Sequence, residues 1–281
     1  METSMFDYII IGGGSAGCVL AARLSEDPDI RVCLLEAGPV DKSVLIHCPA
    51  GLALLAKNGQ ANWAFETVPQ PGLNGRRGYQ PRGKVLGGSS SINAMIYSRG
   101  HPSDYDYWAA QGNPGWSFDE VLPYFRRSEH NERGADAWHG AGGPLNVADL
   151  RSPNRFGPVF VRAGREAGFA VNHDFNGAEQ EGVGMYQVTH KNGERFSAAK
   201  AYLTPNLSRP NLQVITGAHT TRILTEGRRA VGVEYRRGGQ LEQIKATREV
   251  LLCAGSLQSP QLLLLSGIGP GAQLQQHGIA T

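Results

Sequence analysis

Short apolar runs divided by glycine-rich turns organise the chain. Tyr8-Ile9-Ile10-Ile11 is a β-branched run of the length expected of a strand buried on both faces of a parallel sheet. Glycines follow at Gly12, Gly14 and Gly17, and Ser15 to Leu24 has the small and apolar residues of a helix. Val32-Cys33-Leu34-Leu35 predicts a second strand, which ends on Glu36. A strand, tight turn, helix and strand in this order suit a dinucleotide. The first glycine permits the turn, the second lets backbone approach a pyrophosphate, and the third lets helix and strand pack closely. The helix N-terminus offers free amides to phosphate. Glu36, roughly 20 residues beyond the glycines, is placed to accept hydrogen bonds from an adenosine ribose. These residues leave FAD and NAD both open, because the two share an adenosine diphosphate half. The carboxylate disfavours the extra phosphate of NADP.

From Pro39 to Arg82 the period is lost among turn formers, with one short helix predicted near Leu52 to Lys57. Trp63 and Phe65 stand in this irregular segment, either covering a flat cofactor or filling a local core, and the second reading is preferred. Helices are predicted over Phe118 to Arg127, Phe156 to Ala167 and Arg195 to Leu203. Leu212 to Thr216 reads as a strand, Thr221 to Thr225 and Ala230 to Tyr235 as a hairpin-like pair around Gly227, and Glu249 to Leu252 as a strand leading to Ala254-Gly255.

Composition narrows the field only by exclusion. With 281 residues, 41% hydrophobic and 19% charged, the chain is long enough for a large core and gives no sign of disorder. The net charge of +2 makes no case for nucleic acid. Cys18, Cys33, Cys48 and Cys253 sit in or beside apolar segments and read as small buried residues rather than a disulfide framework or zinc site. The histidines, among them His101, His130, His139, His173 and His190, lack metal spacing, so surface or hydrogen-bonded roles are expected and no metal is. METSM before Phe6 is too short for a signal peptide, which predicts a cytoplasmic chain and leaves peripheral contact with the inner face of the membrane open.

A second informative stretch is GKVLGGSSSINAMIYSRG, Gly83 to Gly100. Its glycines and three successive serines have little side-chain bulk and many donors, which suits close passage along phosphates and a polyhydroxyl chain. Gly78 to Lys84 nearly fits the loop of nucleotide hydrolases, but Val85 stands where the magnesium-binding Ser or Thr belongs, and that reading is rejected. The stretch resembles the first signature of the glucose–methanol–choline (GMC) oxidoreductases. AGSLQSPQLLLLSGIGP, Ala254 to Pro270, resembles their second.

The resemblance spans nearly the whole chain and is nearest in look to the bacterial choline dehydrogenase-like branch. It implies an α/β chain with an FAD/NAD(P)-binding Rossmann-like fold and the start of an α+β substrate domain. The expected division is 1–140 and 191–281 for the two parts of the FAD-binding domain and 141–190 for the substrate domain. It implies an FAD-dependent enzyme that oxidises a small-molecule primary alcohol to an aldehyde and passes electrons to quinone or oxygen. By resemblance, contacts to FAD extend from Gly12, Gly14 and Glu36 to Ser15, Ala16, Ala37, Trp63, Arg82, Gly83, Val85, Gly87, Gly88, Ser89 and Ile96. Asn93, Ala94 and Met95 match flavin-facing positions, Thr220 the adenine, and Ala254 and Gly255 the pyrophosphate. Ile92 stands where some members bind FAD covalently through histidine, so non-covalent FAD is expected. Members run much longer and carry their catalytic histidine near the C-terminus, so these residues read as an N-terminal fragment with no catalytic residue of their own. A non-catalytic FAD module needing a complementing chain is the alternative, and an NAD-dependent dehydrogenase a weaker third. The particular alcohol, the acceptor and the oligomeric state stay open.

Overall fold

The structure, a computed structural model, describes residues 5–55, 59 and 61–281. The chain forms two compact units, Met1–Asn93 with Ser197–Thr281, and Ala94–Phe196. Residues 94–140, expected with the first part of the FAD-binding domain, therefore pack with 141–196 in the second unit.

The first unit is built on β1 (Met5–Ile11), α1 (Ser15–Leu24), β2 (Val32–Glu36), β3 (Leu212–Thr216), β4 (His219–Glu226), β5 (Arg229–Arg237), β6 (Gln240–Leu252) and α2 (Gly255–Leu265). One sheet runs in the order β4-β5-β6-β1-β2-β3. Its parallel half pairs β1 with β6 and β2, and β2 with β3. All five residues of β2 are buried, as continuous apolar runs in a parallel sheet require. β6 changes partners along its length: Gln240 to Lys245 pair antiparallel with β5, and from Lys245 the strand runs parallel to β1. The predicted Glu249 to Leu252 strand is thus only the end of a longer one. Its first half was missed because charged and polar residues alternate along an exposed ribbon.

Two other expectations change. Arg195 belongs to a short strand, Glu194–Arg195, and the helical turn after it is π-type over Ala199–Leu203. The helix predicted at Leu52 to Lys57 is seen as Leu52–Leu55, with Ala56 and Lys57 outside the described residues. Ile9, Ile11, Cys33, Leu35, Val233 and Ile244 form the sheet core. Cys33 is buried in this core and Cys18 is buried on α1, each thiol pushed up to about 12 by burial, whereas Cys48 is exposed, against expectation. Among the described residues no helix is long and apolar enough to cross a membrane.

The second unit carries helices at Pro102–Ala110, Phe118–Ser128 and Gly157–Glu166, and three-residue strands Glu129–Asn131 and Leu145–Val147 pairing in parallel. Its centre is polar. The Glu129 carboxylate, fully buried, takes hydrogen bonds from Arg99 Nη2 at 2.9 Å, the Gly140 amide at 2.9 Å and Asn131 Nδ2 at 3.1 Å. His139 lies between Glu129 and Asp174, with Nδ1 3.0 Å from one and Nε2 2.9 Å from the other. The hydrogen bond to Glu129, then that to Asp174, outweigh burial and hold the His139 imidazole above its ordinary value. A raised histidine stabilises the fold fully below its ordinary value of 6.5, and that contribution is lost as pH rises through the raised value. Thermal unfolding is therefore expected to show a higher midpoint near about pH 6 than near about pH 9, with the slope reduced in His139→Gln. A flat profile in the parent chain would contradict the ion-paired geometry.

Candidate functional site

Three stretches far apart in sequence meet at the end of the parallel strands. The turn after β1 is held against the end of β6: the Cys253 amide donates to the Ile11 carbonyl at 2.8 Å. A Cβ on Gly12, whose φ is +101°, would stand 2.5 Å from the Cys253 carbonyl oxygen. The serine-rich loop lies on the same turn, where the Gly87 amide donates to the Gly13 carbonyl at 2.7 Å. There a Cβ on Gly88 would come within 2.7 Å of Gly14 Cα. Any larger residue at these positions would push the segments apart.

The result is a groove of about 590 Å3. Of the residues predicted to hold a cofactor, Gly12, Gly14, Ser15, Ala16, Glu36, Ala37, Trp63, Arg82, Gly83, Gly88, Ser89, Thr220, Ala254 and Gly255 line it. Two helices begin in its wall. α1 starts after Gly14 and α2 after Ala254; neither has a side-chain cap or an acidic residue in its first turn. Their first amides have no partner within the helix, and both dipoles favour an anion between them. Such a wall, lined by glycine and free of bulk, fits a pyrophosphate.

Glu36, the last residue of β2, also lines the groove. It is 5% exposed, and its carboxylate accepts from the Gly13 and Gly38 amides, both at 2.8 Å, one on each oxygen. Each oxygen keeps a lone pair for a further donor, so the fit to a ribose stands. Burial raises the acid's value, opposed by the Gly38 and Gly13 amides and the charge of Lys84. Trp63 and Phe65, preferred as local core on sequence, stand together in the groove wall, rings 5.8 Å apart and 8° from parallel. Ala64 between them has a left-handed φ of +52°, so a kink in the backbone rather than strand alternation brings the two rings together, and no local sequence pattern marks it. His219 meets Trp63 edge-on at 5.5 Å; burial, Lys84 and Arg236 lower its value. Together with Ile11, Leu35, Ala218 and Leu252, it lines the groove unpredicted, because sheet order rather than sequence brings it there.

Six predicted contacts are not in this lining: Val85, Gly87, Asn93, Ala94, Met95 and Ile96. Val85 is fully buried among Ile46, Leu55 and Ile92. Gly87 has a left-handed φ of +86° and turns the loop onto Ser91. Asn93 and Ala94 are exposed, and Met95 is buried in the second unit with φ +61°. The serines also divide. Ser90 and Ser91 hydroxyls donate to the Gly87 and Leu86 carbonyls at 2.5 and 2.7 Å, so they brace their own loop, and Ser89 is the one of the three in the groove wall. Ile92 is 6% exposed and packed in the apolar cluster. Among the described residues no cluster of His, Cys, Asp or Glu is arranged to hold a metal.

Comparison with known proteins gives a consistent picture. The family profile described as GMC oxidoreductase matches residues 6–279. An alcohol dehydrogenase [acceptor] from Pseudomonas putida is 53% identical over 98% of this chain and 50% of its own length. An oxygen-dependent choline dehydrogenase from Brucella anthropi is 49% identical over 97% of this chain and 50% of its own. A solved FAD-dependent oxidoreductase from Chaetomium thermophilum superposes with a TM-score of 0.91 at 33% identity, covering 98% of this chain and 50% of that one. The chain spans about half the length of the curated relatives it matches.

Proposed function

The chain belongs to the GMC oxidoreductase family, whose cofactor is FAD, and on that premise we propose that it supplies the FAD-holding part of an enzyme oxidising primary alcohols to aldehydes. The observation that carries the proposal is the meeting of Gly12–Gly14, Gly83–Ser89 and Ala254–Gly255 around one groove that ends on Glu36. In this reading the α1 and α2 N-termini hold the pyrophosphate and the Glu36 carboxylate accepts from the ribose. Thr220 and the Trp63 wall then border the adenine. Asn93, Ala94 and Met95 remain proposed contacts to the flavin ring, and Ile92, which has no nucleophilic atom, leaves FAD non-covalent.

A bound flavin supplies acceptance of hydride from the carbinol carbon. The alcohol's proton needs a base. His139 is occupied by two carboxylates and His219 stands at the adenosine end, so neither is the base in this proposal. We place the base in the share of the relatives that these 281 residues do not match. Choline, aliphatic alcohols, quinone and oxygen all remain within this reading, as the relatives' names span alcohol and choline dehydrogenases.

The test is to load the 281-residue polypeptide with FAD and follow an electron-accepting dye with primary alcohols and choline. Turnover is expected to be at most slight. It should rise when the unmatched half of the Pseudomonas putida relative is supplied as a separate polypeptide. Rapid turnover by the 281 residues alone would overturn the placement of the base.

A further inference from the structure

Lys84 stands where the rejected nucleotide-hydrolase reading would have put a phosphate-binding lysine, and it does not line the groove. Its backbone is pinned on two sides. The amide donates to the Ala61 carbonyl at 2.8 Å, and its carbonyl packs so closely on Gly38 that a Cβ there would run into it. The ammonium then lies 4.3 Å from the centroid of the Trp63 ring, inside the range of a cation–π contact. Trp63 is in turn stacked with Phe65 and met edge-on by His219, and these three rings line the adenosine end. The same charge favours the ionised Glu36 carboxylate and the neutral His219 ring.

We propose that Lys84 is a positioning residue for the adenosine end of the groove, fixing Trp63 in the wall through its ammonium from outside. The inference rests on the reading of the groove as an FAD site. It assigns to Lys84 a role through an aromatic side chain rather than through phosphate or magnesium.

The experiment measures dissociation constants for FAD and for ADP, which carries the adenosine diphosphate half, in the parent chain and in variants. Lys84→Met keeps the methylenes that pack on the indole and removes the charge, so a merely space-filling role would not register. Both constants are expected to rise about 3- to 30-fold in Lys84→Met, and to stay within about twofold of the parent in Lys84→Arg, which keeps a cation over the ring. Lys84→Gln carries the same expectation as Lys84→Met, so the test stands if either neutral variant folds. In a Trp63→Leu background the cost of Lys84→Met is expected to shrink at least about threefold, because the ring through which it acts is gone. Three results would overturn the inference: parent-like affinity in the neutral variants, an arginine variant as weak as the methionine one, or an equal cost with and without Trp63. A parent chain that takes up neither FAD nor ADP would instead bring down the cofactor reading, and the Lys84 inference with it.

Discussion

Replacing Glu36 by glutamine is expected to weaken FAD binding about 10- to 150-fold, the loss of a hydrogen bond to a charged acceptor. It should also destabilise the chain by about 1–3 kcal/mol. The reason lies in the two amides that flank the carboxylate. Gly13 and Gly38 each donate at 2.8 Å to a different oxygen of a side chain that is almost wholly buried. Glutamine keeps one acceptor and turns a second donor toward a backbone N–H, which leaves that amide unsatisfied out of water. The midpoint of thermal unfolding should fall by roughly 2–4 °C for each kcal/mol lost. The pH dependence has a definite sign. In the proposed site a ribose hydroxyl would donate to the ionised carboxylate, and burial has already raised the Glu36 acid, so FAD affinity in the parent is expected to be lost as pH falls through that raised value. Affinity that is unchanged in Glu36→Gln would remove Glu36 from the site.

Gly17→Ala is expected to have the larger effect on the fold. A Cβ at Gly17 would run into the Gly12 carbonyl oxygen and press on the Ile10 side chain. The obstacle is backbone of the turn itself, so α1 would have to lift from β1. Overpacking of this kind typically costs about 1–3 kcal/mol, and a clash with backbone belongs at or above the upper end. FAD uptake should vanish with it, since the α1 N-terminus and the Gly12 turn are one piece. Gly72→Ala is the matched control: no atom lies within 4 Å of a Cβ there, and the change should stay within about ±0.5 kcal/mol. Equal midpoints for the two variants would show that close packing of α1 on the turn does not support the fold.

What could be read from the sequence follows how local the signal is. The β1-α1-β2 unit was legible nearly to the residue, because buried parallel strands are unbroken apolar runs and the glycines report steric facts of one short turn. The helix at Pro102–Ala110 went unread among aromatics and turn formers, although its start was marked: His101 accepts from the Ser103 amide and Asp104 accepts from the His101 amide. α2 has no helix assigned in the sequence reading, since Pro260 and the interspersed glutamines and serines leave no clear period; the structure accommodates Pro260 inside the helix. His219 and Leu252 entered the groove through the crossing order of the sheet, which no local pattern carries. The serine run misled in a different way. Three hydroxyls in a row suggested three donors for a ligand, but a tight turn has carbonyls of its own to satisfy, and Ser90 and Ser91 are spent on them. The polar heart of the second unit was likewise invisible, since Arg99, Glu129, His139 and Asp174 are far apart in the sequence.

The glycine convergence and the Glu36 anchor make one claim above the rest: these residues by themselves form a site for FAD, held without a covalent bond. Equilibrium titration of the purified, flavin-free chain with FAD tests it most directly, followed by acid denaturation and separation of protein from small molecules. Saturable uptake of about one FAD per chain, competition by ADP, and complete release of the flavin into the soluble fraction are expected. Failure of the folded chain to bind FAD, or flavin that stays with the denatured polypeptide, would contradict the claim.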